Sequence, residues 1–207
     1  MNLPEEIKTI DEFKEVATII NKSTFFAQIF PILSEDDVRN YISDSKKKYY
    51  EASHHCYAYK LVNGVTRYSD AGEPNGTAGI RILNAIEHFH INNQLIIVSR
   101  IFGGIKLGVG PLGKAYFEAG YQVISSSKIT TKLLYQKANI SSEFEYVSII
   151  HRILDTHKSM ITATNYENTL EIEALLPYQE ISIIQEKLKN SGKNKILLSL
   201  STEFLYK

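Results

Sequence analysis

The sequence predicts an α+β protein of two domains, an N-terminal α/β domain over residues 1–132 and a small antiparallel domain over 135–207. Three observations carry this. Two Gly-rich stretches, Tyr68–Gly79 and Arg100–Tyr116, each run from a strand pattern into a helical one. The unbroken apolar run Leu95–Val98 between them reads as a buried central strand. After residue 135 the periodicities follow the order β-α-β-β-α-β, which is ferredoxin-like.

Taken in order, residues 3–18 read as a short acidic lead-in. Phe25, Phe26, Ile29 and Phe30 favour a strand, with Pro31 at its end. Ser34 and Asp37 form a capping pair for a helix whose inner face carries Val38, Tyr41, Ile42 and Tyr49, and Lys46–Lys48 suit its C-terminal dipole. His54–Val62 is a strand, and Asn63-Gly64 turns it back into Val65–Tyr68. A helix begins at Thr77 and ends near His90. Gln94–Ile101 is the central strand, and another helix starts near Pro111, where a missing N–H costs nothing. Ser125 to about Leu134 reads as a linker. Strands at 136–144, 160–166, 169–176 and 196–205 then enclose helices marked by Ile150 and Leu154 and by Ile184 and Leu188.

Composition narrows the function. Of 207 residues 43% are hydrophobic, enough for a core, and the formal net charge is zero. A body that grips nucleic acid by bulk charge is excluded, so any such contact needs a local patch. The single cysteine, Cys56, cannot form an internal disulfide, which suits a reducing compartment. The first residues lack a signal-peptide pattern, and no apolar run approaches the roughly 20 residues that span a bilayer. The expectation is a cytoplasmic protein without a membrane partner.

Two loops hold the candidate chemistry. Gly76 and Thr77 lie at a helix N-terminus, where free N–H groups favour an anion. Asp70 and Glu73 beside them would repel phosphate; they suit a base, a metal ligand, a partner for a basic side chain, or a cap for the loop backbone. In the second loop Arg100, Lys106 and Lys114 surround Gly103 and Gly104, a set that could receive phosphate from RNA or a small ligand. Phe102 and Tyr116 could stack on bases. His54 and Cys56 share one face of their strand, as a conceivable base and nucleophile. One cysteine is too few for a zinc site, so no metal and no cofactor is expected.

The blocks Ala52–Tyr59, Ser69–Gly79 and Arg100–Gly108, in this order, resemble the IMPACT family in its bacterial YigZ-type form. The resemblance spans residues 20 to about 128 and, in pattern only, the C-terminal part. It implies a two-layer α/β first domain like domain IV of elongation factor G and a second domain like domain V of that factor. The eukaryotic relatives are translational regulators. Ala71 stands where the family usually has a second aspartate, and Lys114 where arginine is frequent. The function expected from this is a translation-linked regulatory protein that binds ribosome or structured RNA, with Arg100, Lys106, Lys114, Gly76, Thr77, Gly103 and Gly104 at the phosphates. An enzyme acting on a phosphorylated small molecule, using His54, Asp70 and Glu73, is the alternative, as is a scaffold for a protein partner.

Overall fold

A computed structural model describes residues 3–207. Contacts divide the chain into two units, residues 7–131 and residues 132–207, the second also taking Leu3–Glu6.

The first unit runs β1 (Glu6–Ile10), β2 (Lys14–Ile20), β3 (Ser23–Pro31), α1 (Glu35–Lys48), β4 (His54–Lys60), β5 (Thr66–Ser69), α2 (Gly79–His88), β6 (Gln94–Ile101) and α3 (Val109–Ser125). Its antiparallel sheet has the order β2-β3-β6-β4-β5. The lead-in expected at residues 3–18 is instead two strands. Ile7 and Ile10 are buried, and β2 pairs with β3 through the two-residue turn Asn21-Lys22, both at positive φ. That geometry matches the twist of a hairpin.

The two-layer expectation for this unit is also revised, because helices cover both faces of the sheet. Ile96 and Val98 of β6 face α2 and α3, packing with Ile82, Ala115 and Tyr116. Leu95 and Ile97, pointing the other way, pack with Ile32, Tyr59 and Val38 of α1. Side chains alternate along a strand, so an unbroken apolar run needs cover on both sides. Each such buried side chain is worth about 1.5–3 kcal/mol. Ser34 and Asp37 close the expected capping box on α1.

The second unit contains β7 (Ile129–Ser142), α4 (Val147–Thr156), β8 (Met160–Asn165), β9 (Leu170–Pro177), α5 (Ile181–Ser191) and β10 (Leu197–Tyr206). β7 begins inside the stretch expected as a linker, where Ile129-Thr-Thr is β-branched and suited to a strand. The antiparallel pairings run β10-β7-β9-β8. Helices α4 and α5 cover the core side, burying Ile150, Leu154, Ile184 and Leu188 against Ile140 and Ile172. No helix among the described residues is long and apolar enough to cross a membrane.

Candidate functional site

After β5 the chain must enter α2, whose N-terminal N–H groups need acceptors. The residue at the cap position, Ala78, has no side-chain acceptor. Asp70 fills the role from eight residues upstream. Its Oδ1 accepts from Ala78 N–H at 2.9 Å and Gly79 N–H at 2.8 Å, and its Oδ2 accepts from Gly76 N–H at 2.9 Å. Burial of this carboxyl opposes ionisation, but the three backbone donors outweigh it and hold the group below its ordinary value of 3.8.

This arrangement revises the expected roles of Gly76 and Thr77 as phosphate ligands. The Gly76 N–H is already taken by Asp70. Thr77 is buried, and both its hydroxyl and its N–H donate to the Pro74 carbonyl, at 2.6 and 3.1 Å. The helix terminus carries its anion internally.

The sign of the Asp70 shift makes a prediction. A carboxyl with a depressed folded-state pKa contributes stability that is complete above the unfolded value and is lost as pH falls through the folded one. Asp70→Asn is expected to cost about 1–3 kcal/mol at neutral pH. The gap to the parent should shrink as pH drops below 3.8. Urea titrations across that range check it, and a gap constant with pH would show that the charge contributes nothing.

Glu73, three residues on, sits at the centre of a second network. Its carboxylate is 4% exposed, and its Oε1 accepts from Arg100 Nη1 at 2.7 Å and from the Tyr116 hydroxyl at 2.7 Å. Arg100 is itself buried, its Nη2 donating to Ser23 Oγ at 3.4 Å and its guanidinium lying 5.5 Å from each of the Phe25 and Phe102 ring centres. Arg100, expected to hold phosphate, is therefore an internal partner of Glu73. Tyr116 is fully buried and cannot stack on a base.

Cys56 and His54 reach the same network from β4. The Cys56 thiol donates to the Asp70 carbonyl at 2.9 Å and lies 3.4 Å from the Tyr116 hydroxyl. Burial pushes that thiol up to about 12, so at neutral pH it is not the thiolate a nucleophile requires. His54 Nδ1 lies 2.9 Å from the Ala71 carbonyl. A carbonyl only accepts, so Nδ1 carries the hydrogen. Nε2 of the same ring then faces Glu73 Oε2 at 4.0 Å. His55 points to the other face and pairs with Ser99 Oγ at 2.8 Å.

The remaining candidates are exposed. Lys106 and Lys114 lie on the surface and form no ion pair among the described residues. Lys22, in the β2–β3 turn, is exposed, and its backbone packs directly against Gly103 of the second loop. Gly103 also donates its N–H to Ser23 Oγ at 3.2 Å, so it serves this close approach rather than a phosphate. Gly104 is exposed at φ +84°. Arg81 reaches from α2 to the Gly76 carbonyl and lies 3.2 Å from the position of a Cβ on Gly113, next to Lys114. Sequence reasoning missed Ser23 and Lys22. They stand some 80 residues from Gly103, and no local pattern marks them.

Among the described residues no group of three or more His, Cys, Asp or Glu is placed to hold a metal ion. The fold and site together define a class: a two-unit α+β protein in which two Gly-rich turns close over a buried Arg–Glu–Tyr network and leave lysines outside. The Impact N-terminal domain model matches residues 21–124, and the chain belongs to the IMPACT family, in its YigZ-type form. It is 26% identical over 192 residues to IMPACT family member YvyE of Bacillus subtilis, covering 91% of this chain and 88% of that one. It is 24% identical over 185 residues to IMPACT family member YigZ of Escherichia coli, covering 86% and 90%. A solved structure described as a hypothetical protein has the same fold, with a TM-score of 0.69 at 23% identity over 97% of this chain and 99% of that one.

Proposed function

We propose that this protein is a translation-linked regulator of the cytoplasm that binds ribosome or structured RNA through its Gly-rich basic loops. One observation carries the reading. The two acids that stood against an anion are engaged inside the fold, the Asp70 carboxylate by three backbone N–H groups and the Glu73 carboxylate by the Arg100 charge and the Tyr116 hydroxyl. The exposed charges of the second loop, at Lys106 and Lys114, are positive, and Lys22 of the β2–β3 turn and Arg81 of α2 are exposed as well. A neutral chain thereby carries a local basic patch. The likeness of the two units to domains IV and V of elongation factor G belongs to the same reading. What supports it is the β-α-β-β-α-β order of the second unit and its strand order β10-β7-β9-β8, a ferredoxin-like arrangement.

The enzyme alternative draws on the approach of His54 Nε2 to Glu73 Oε2. Of the two Gly-rich loops that would cradle its phosphate, the first has the N–H groups of Gly76, Ala78 and Gly79 spent on Asp70.

Co-sedimentation with ribosomes and subunits across a salt series tests the proposal. Binding is expected to weaken with salt, as counterion release requires, and to fall roughly tenfold or more in the Lys106→Ala, Lys114→Ala double variant at low salt. A double variant that binds as the parent does would sink the site assignment. Absence of binding at low salt would sink the function.

A further inference from the structure

We infer that the ring of Phe102 is a stacking platform for an unpaired base, so that the RNA taken by these loops is single-stranded where it meets them. This rests on the RNA-binding proposal above and names the form of RNA recognised. Phe102 follows β6 at the start of the second Gly-rich turn and is 46% exposed, whereas its aromatic neighbours in the network, Phe25 and Tyr116, are both 0% exposed. An exposed phenylalanine on a loop is ordinarily a loose side chain. This one is held. The Arg100 guanidinium lies 5.5 Å from its ring centre, and that guanidinium is fixed in turn by Glu73 and Ser23. The backbone under it is fixed too, since Gly103 packs on the Lys22 backbone and donates to Ser23 Oγ.

The ring therefore loses little freedom when something lies on it, and pre-organisation of this kind turns contact into affinity. A buried cation against one part of an aromatic ring leaves the rest of its π surface for a second flat partner. Nucleic-acid bases supply such partners whatever the sequence, but only where they are unstacked from their own neighbours. Charge selects this occupant over an apolar protein segment. Ile105 and Val109 are exposed on the same turn, but Lys106 lies between them, and the Lys22 backbone packs against Gly103. Exposed Lys106, four residues on in the same turn and without an ion pair among the described residues, fits the phosphate that a stacked base brings with it.

The test is anisotropy of a labelled, unstructured RNA 12-mer and of the same strand in a duplex, with the full chain and three variants. The parent is expected to bind the single strand more tightly than the duplex. Phe102→Leu keeps apolar bulk but removes the π face, and should weaken single-strand binding roughly five- to a hundredfold while leaving duplex binding unchanged. Phe102→Tyr should restore it. Because the ring is half exposed, urea denaturation of Phe102→Leu should match the parent closely enough to exclude misfolding. If Phe102→Leu binds the single strand as the parent does while Lys106→Ala, Lys114→Ala loses it, the stacking inference is overturned and the RNA reading stands. Equal affinity for single strand and duplex also overturns it. If neither RNA binds and ribosomes do not co-sediment, the RNA reading fails and the platform with it.

Discussion

Gly103→Ala is expected to lose at least about 3 kcal/mol of stability, a large fraction of what a domain of this size ordinarily has. A Cβ on Gly103 would stand 2.0 Å from both the carbonyl carbon and the oxygen of Lys22, and 2.5 Å from the Ser23 nitrogen. These are backbone atoms in a tight hairpin turn and at the start of β3, so no side-chain rotation relieves the clash. The whole β2–β3 turn would have to move away from the end of β6. The same substitution seven residues on supplies the control. Gly110 lies in the first turn of α3 with nothing within 4 Å of its would-be Cβ, and its φ is not positive. Gly110→Ala should stabilise by about 0.5–1 kcal/mol, because alanine has less backbone freedom to lose. Urea denaturation of both variants separates the explanations: similar shifts would mean that close packing at Gly103 is not what holds the turn.

The second large effect is expected from Arg100→Ala. It leaves the Glu73 carboxylate, 4% exposed, with only the Tyr116 hydroxyl and a distant imidazole for company. Breaking a buried ion pair from one side costs about 3–5 kcal/mol, most of it the penalty of the stranded charge. The double variant Arg100→Ala, Glu73→Gln removes that charge and should recover part of the loss. The four-corner cycle of parent, two single variants and double variant, followed by urea denaturation, reads the coupling directly. Were Arg100→Ala to keep parental stability and lose RNA affinity instead, Arg100 would be a ligand group after all, as its sequence context first suggested.

Both effects turn on partners far apart in the chain, and that decides what could be read in advance. The capping box at Ser34 and Asp37, the Asn63-Gly64 turn with Gly64 at φ +91°, and the buried run Leu95–Val98 were legible, because each signal and its cause lie within a few residues. The alternation of elements after residue 135 was legible for the same reason. The strands of residues 6–20 were not. Ile7, Ile10, Val16, Ile19 and Ile20 are β-branched and suit strands, but Lys and Glu stand among them, and for β2 it is the pairing with β3 that makes the strand explicit. The two covered faces of the first sheet were implicit in the unbroken apolar run of β6, but only α1 settling on Leu95 and Ile97 made them explicit.

At the site the division is sharper. The sequence by itself determined which residues gather at two Gly-rich turns, that each turn opens a helix, and that this combination marks the IMPACT family. It could not assign the charges. Asp70 and Glu73 lie three apart and look alike, yet one is spent on the N–H groups of its own loop and the other on Arg100, 27 residues away, and Tyr116, 43 away. Tertiary structure alone decided that Arg100 turns inward while Lys106 and Lys114 stay in water. The physical reason is desolvation. A charge leaves water only where a fixed partner waits, and β6 delivers Arg100 to one, whereas the lysines of the following turn and helix meet none among the described residues.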